Sequence, residues 1–360
     1  FELPFSLFQA SSGGENWNSR NHMDADGTVH LAHRGFVITG GDRVDRGQRA
    51  TPLVNLETAT SSMGCAMQYF WENSPKSIAV TADRFELGLW PRQHGRPHEI
   101  QGGERKTHSL VLSIGPSAAR SDTALDWGRS PLIVRASPDW YTKAEAVPFV
   151  VPGDDDRNEG YKRLVQMSLD DSVGFVAKRE AVDEYGWRHF GDLYGDHESA
   201  QHQGPEIFLS HYNNQYDAVA GFATQFFRFG ETDWYRLMDE LARHVVDIDL
   251  YHTTEDKSTY NGGQFWHTIH YIDAGTSTHR AYPPAEGVNG GGPSTGNLYA
   301  HGLLLHYYLT GSRLSREAVE SLGQYVIDAD DGRRTVFRFL ARGYTCLLYT
   351  SDAADDEYNV

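Results

Sequence analysis

The stretch FFRFGETDWYRLMDELARHVVDID, residues 226–249, decides how the C-terminal half of this chain is read. Trp234, Leu237, Met238, Leu241, Val245 and Ile248 recur at helical spacing, with Thr232 in N-cap position. Gly230 separates this run from an aromatic-rich one before it. The same plan returns about eighty residues later. Aligning Gly230 with Gly311 places Phe226-Phe227 on Tyr307-Tyr308, Leu241 on Leu322, Val245 on Val326, Asp247 on Asp328 and Asp249 on Asp330. Leu314 and Val319 form a hydrophobic staple around a start at Ser315. Each unit is an aromatic-rich helix, a glycine stop, a short turn and an amphipathic helix. Such hairpins need neighbours for their apolar faces, so they predict stacked helix pairs in an α/α solenoid or a closed α/α toroid.

Upstream the period changes. Runs such as Val29 to Val37, Ala66 to Trp71, Ser77 to Val80, Phe85 to Trp90 and Ser109 to Ile114 are separated by Gly, Pro, Asn and Asp clusters, which reads as an antiparallel β-sandwich. The expected organisation is therefore α+β. A β-sandwich spans 1–120, a linker region 121–156, and an (α/α) toroid of helical hairpins 157–345. Residues 346–360 form an atypical tail that resembles translated adaptor read-through in metagenomic fragments, which would cut the toroid short. The opening at Phe1 fits either a removed secretory leader or a fragment that begins mid-gene, and the chain is expected to be secreted or periplasmic.

The chain has 360 residues, roughly two domains' worth, and a formal charge of -17. That charge disfavours nucleic acid and anionic membranes as partners. No apolar run approaches the roughly 20 residues of a membrane-spanning helix. Against this acidic background stand 17 His, 19 Tyr and 8 Trp. Residues 185–308 hold 11 of those His and 12 of those Tyr, so the imidazoles and phenols point to one cleft.

Several chemistries compete for that region. His267 and His270, with Asp273, have a zinc-like spacing, but no HExxH pattern or Cys pair accompanies them. Hence no metal centre is expected, although calcium is compatible with carboxylates such as Asp196, Glu198 or Asp217. No GxSxG elbow is present. Paired carboxylates for glycoside hydrolysis are available among Asp192, Asp196, Glu198, Glu206 and Asp217. The residue types fit β-elimination on a uronate best. That reaction needs donors that neutralise the substrate carboxylate, and a base and an acid that Tyr and His can supply. The blocks Asn213-Asn214-Gln215-Tyr216, His267-Thr268-Ile269-His270-Tyr271 and His279-Arg280 together cover every role.

The blocks GDLYGD (191–196), NNQYD (213–217) and RHVVDID (243–249), followed by His252, resemble exo-rhamnogalacturonan lyase-like proteins. More broadly they resemble uronate polysaccharide lyases built from a β domain and an α/α toroid. The resemblance extends upstream through Trp90-Pro91 and Gly102 to His108. It implies a lyase acting on an acidic polysaccharide of glucuronan, ulvan or rhamnogalacturonan type. By that analogy Asn214 and Arg280 neutralise the carboxylate, His270 or His279 serves as base or acid, and Tyr216 or Tyr271 is the partner. His211, Asn213, Trp266 and His267 complete the expected substrate-binding set. A glycoside hydrolase on the same scaffold, or a noncatalytic carbohydrate-binding protein, is the alternative.

Overall fold

The computed structural model describes residues 2–24, 26–93, 97–116, 122–193, 211, 213–256, 258–266 and 292–330. The chain divides into two compact units, an antiparallel β unit and a helical unit, so the fold is mixed α+β.

The first unit comprises Phe1–Glu99, Lys106–Val134 and Glu180–Phe190. Five strands, β1 (Phe5–Gln9), β2 (Phe36–Gly40), β3 (Arg43–Gly47), β6 (Lys76–Val80) and β7 (Phe85–Gly88), form a sheet in the order β3-β2-β1-β6-β7. A second sheet has the order β4-β5-β8, from β4 (Leu53–Glu57), β5 (Ser61–Met67) and β8 (Leu110–Pro116). All pairings are antiparallel. Leu7 lies opposite both Ile38 and Ile78, so one face of the central strand carries the apolar side chains of a single core. Met67, Phe70 and Val80 join that core, and Val54 and Leu56 of β4 pack on it. The two sheets thus share one hydrophobic interior.

Strand positions depart from the expected ones. The run from Val29 is not a strand until Phe36, because Asp24 holds the preceding loop. Its carboxylate accepts the Thr28 and Asp26 amides at 2.8 and 3.0 Å and also bonds His30. Of the expected linker, α1 (Asp122–Arg129) belongs to this unit. The return segment Glu180–Phe190 is anchored by Asp183, whose carboxylate accepts from Ser12 Oγ and bonds His22 Nε2 at 2.7 Å.

The second unit comprises Ile100–Arg105, Arg135–Arg179 and Gly191–Val360. It contains α2 (Pro138–Ala144), α3 (Glu159–Met167) and most of α4 (Phe175–Val182). Two helical hairpins follow, α5 (Ala218–Phe229) with α6 (Thr232–His244) and α7 (His301–Thr310) with α8 (Arg313–Asp330). The repeat seen in the sequence is real in its geometry. Gly230 and Gly311 both take left-handed φ, 68° and 71°, and their amides close the preceding helices on Phe226 O and Tyr307 O at 2.8 and 2.7 Å.

Helix starts differ slightly from those expected. Glu231, not Thr232, occupies the N-cap of α6, and α8 begins at Arg313 with Ser315 already inside it. Phe222, Phe226, Trp234, Leu237, Met238, Leu241, Leu303 and Leu322 fill the interior of the hairpins. Among the described residues, no helix is long and apolar enough to cross a membrane.

Candidate functional site

The NNQYD block is a strained joint between the hairpins. Asn213, Asn214, Tyr216 and Asp217 have φ of 46°, 63°, 62° and 57°, four left-handed residues in a run of five. Asn and Asp tolerate this conformation, but for a bulky residue such as Tyr216 it is an outlier. Strain of this kind costs on the order of 1–3 kcal/mol per residue and persists only where the surroundings enforce it.

The enforcing contacts are polar. Asn214 Oδ1 accepts the Val219 amide at 3.0 Å, while its Nδ2 donates to Tyr299 O at 3.2 Å and Asp217 Oδ1 at 3.3 Å. Asp217 accepts the Ala220 amide at 3.2 Å as N-cap of α5, and its other oxygen accepts the Gly302 amide of α7 at 2.9 Å. One carboxylate therefore caps two helices, whose positive N-terminal ends converge on it. A Cβ at position 302 would stand 2.3 Å from Asp217 Oδ1 and 2.4 Å from the Ala220 amide, so only glycine permits this approach. Burial pushes the Asp217 carboxyl up, against the lowering pull of the Gly302 and Ala220 amides.

Two neighbouring segments complete the joint. Asn213 Nδ2 donates to Phe265 O at 2.9 Å, and Gln264 Nε2 donates to Asn213 O at 2.6 Å. Gln264 Oε1 accepts the Tyr299 amide at 3.4 Å, and Tyr299 donates its phenol to Asn297 Oδ1 at 3.0 Å. Asn213, Asn214 and Gln264 are buried, whereas Tyr216 is 52% exposed, its ring 6.4 Å from that of Tyr299. Burial pushes the Tyr299 phenol up.

A charged cluster lies one bond further in. The Asp192 carboxylate accepts the Leu193 and Asn213 amides at 2.7 and 3.3 Å, and its Oδ2 is 3.3 Å from His244 Nε2. Asp249 Oδ1 approaches the same nitrogen at 3.4 Å. All three side chains are buried. Burial alone would lower the His244 pKa, but the two carboxylates prevail and raise it to about 10. Asp192, His244 and Asp249 each present one ligand atom within 4.8 Å of the others. Donors of a tetrahedral zinc site stand about 3.4 Å apart, so this set fits either a proton on Nε2 or a small divalent cation. His211, wholly buried, also brings a ring nitrogen within 4.8 Å of an Asp192 oxygen.

No family model matches this chain. It is 24% identical over 248 residues to the uncharacterized protein YetA of Bacillus subtilis (strain 168), an alignment covering 58% of this chain and 28% of YetA. The chain thus spans less than a third of YetA's length.

Of the sequence-predicted set, Asn213, Asn214 and Tyr216 meet in the joint, and Trp266, half-buried, directly follows the Gln264-Phe265 pair bonded to it. Asn214 spends its amide on the joint, so in this conformation it organises the site. His267, His270, Tyr271, His279 and Arg280 lie outside the described residues, as do Asp196 and Glu198. Sequence reasoning missed Gln264, Asn297 and Tyr299. The available signal was an Asn and a Tyr immediately before α7, mirroring the Asn-rich entry into α5.

Proposed function

We propose that this protein is a polysaccharide lyase that cleaves beside a uronic acid by β-elimination, with its site at the NNQYD joint. The observation that carries the reading is Tyr216. A strained backbone held by six hydrogen bonds buries Asn213 and Asn214 and leaves Tyr216 half exposed at the entry to α5. In the reaction a base removes the C5 proton of the uronate, the C4–O bond breaks, and an acid protonates the departing oxygen. Tyr216 is assigned to one of these proton transfers, with His270 or His279 as its partner and Arg280 as carboxylate neutraliser. Trp266 offers a face for a sugar ring.

Two further expectations belong to this reading. The paired hairpins would form part of an α/α toroid, and the acidic polymer would be met outside the cytoplasm. Of the carboxylates offered for hydrolysis, Asp192 and Asp217 are committed to His244 and to two helix caps, so a hydrolytic pair would have to draw on Asp196, Glu198 or Glu206.

The test is digestion of glucuronan, ulvan and rhamnogalacturonan, followed by the ultraviolet absorbance of the new C4=C5 double bond. A rise with one of these polymers is expected. Reducing ends without absorbance would make the protein a hydrolase, and binding with neither would make it a carbohydrate-binding protein.

A further inference from the structure

A second feature of the helical unit stands apart from the NNQYD joint. An open groove of about 430 Å³ is lined by Phe149, Asp155, Asp156, Arg157, Tyr161 and Arg228. That volume is within the range of small-ligand sites. Phe149 is 99% exposed and has φ of 62°, so a bulky aromatic is held in a costly backbone conformation without burying any of its ring. Neither packing nor backbone preference accounts for a phenyl at that position.

Tyr161 is a built platform. The Arg228 guanidinium lies 5.2 Å from its ring centroid, and Gln225 Nε2 donates to its hydroxyl at 3.0 Å. Arg228 is itself buried and fixed, donating to Val151 O at 3.1 Å and Gln225 Oε1 at 2.9 Å and pairing with Asp156. The phenol ring is thereby pinned on one side while 40% of the residue stays open to solvent. Arg157 and Asp155 are exposed on the rim. Aspartates 155 and 156 balance arginines 157 and 228, so the groove carries no net formal charge and does not select a ligand by ionic attraction.

We infer that this groove is a glycan-binding subsite that stacks a pyranose ring on Tyr161 and Phe149 and reads its hydroxyls with Asp155 and Arg157. Pyranose rings present apolar C–H faces and flanking hydroxyls, which match two aromatic rings bordered by a planar acceptor and a planar donor. The inference rests on the carbohydrate reading above and adds a place where the polymer is held away from the reacting bond. Thr224 and Arg228, both groove residues, lie seven and eleven positions along α5 from Asp217, about 10 and 16 Å by helical rise.

The test is isothermal titration of the full chain with glucuronan oligosaccharides and, separately, with neutral cello-oligosaccharides. Phe149→Ala combined with Arg157→Ala is the variant, because both side chains are exposed and their removal leaves the core intact. The expected result is binding of at least one series by the wild-type chain and at least a tenfold weaker Kd for the variant at an unchanged melting temperature. A variant that binds like the wild type, or a wild-type chain that binds neither series, overturns the inference. The lyase reading fails on a different measurement, the absence of a double-bond absorbance, so the two failures are distinguishable.

Discussion

Asp249 follows His244 by five residues, yet its carboxylate oxygen stands 3.4 Å from His244 Nε2. In an α-helix five residues advance about 140° around the axis, which would turn the two side chains apart. Val245–Asp249 instead form a π turn, closed by the Leu250 amide on Val245 O at 3.1 Å, which widens the helix and brings Asp249 under His244. In the second hairpin α8 stays α-helical through the equivalent positions to Asp330. The π turn is therefore what distinguishes the two copies.

This arrangement fixes the sign of a pH dependence. The folded pKa of His244, about 10, lies above the ordinary 6.5. Its stabilising contribution is full below pH 6.5 and is lost as pH rises through 10. Urea unfolding at pH 6, 8 and 10 should show a loss on the order of 3 kcal/mol that Asp249→Asn reduces, the Asp192 carboxylate keeping the remainder. A chelator should leave the melting temperature unchanged; a fall would put a cation where the proton is.

Asp239 predicts the opposite slope. His306 of α7 bonds Asp239 Oδ1 at 2.9 Å and Ser315 Oγ at 2.8 Å, and Arg243 pairs with the other Asp239 oxygen at 2.8 Å. Burial opposes ionisation, but these partners hold the carboxyl down to about 2. Its contribution is present above pH 4 and is lost as pH falls through 2. His306→Ala should cost about 3 kcal/mol at pH 7, measured by urea unfolding, and should flatten the acid limb of the profile.

The paired glycines give a cleaner backbone test. No atom lies within 4 Å of a Cβ built at Gly311, and the nearest to one at Gly230 is at 3.7 Å. Gly311→Ala and Gly230→Ala should therefore each cost about 1 kcal/mol through the left-handed φ alone, and the Asn variants less. Thermal melting monitored by circular dichroism measures both.

Tyr216→Phe should lower kcat on the responsive uronate polymer by about 10²-fold or more while changing the melting temperature by little, since Tyr216 is half exposed and the ring is kept. The double-bond absorbance assay gives the rate.

The hairpins were legible in the sequence because glycine stops and apolar spacing are local signals, and both survived as geometry at 230 and 311. Strand β1 was not read from FSLFQ, although it is the centre of its sheet: five residues show too little periodicity, and its partners β2 and β6 are remote in sequence. The Asp192–His244–Asp249 cluster was hidden for a different reason. Helical periodicity assigns Asp249 to the wrong face, and only a π turn corrects it. The NNQYD block stands out in the sequence for its residue types, but its left-handed backbone depends on distant partners at Tyr299 and Gly302.

The shared cap at Asp217 has a consequence for cooperativity. Opening the first turn of α5 strips the Gly302 amide of its acceptor, and opening α7 does the same to the carboxylate that holds Ala220. The two hairpins should thus exchange their N-terminal amide protons at a common rate, as a single foldon, and Asp217→Ala should split them into two.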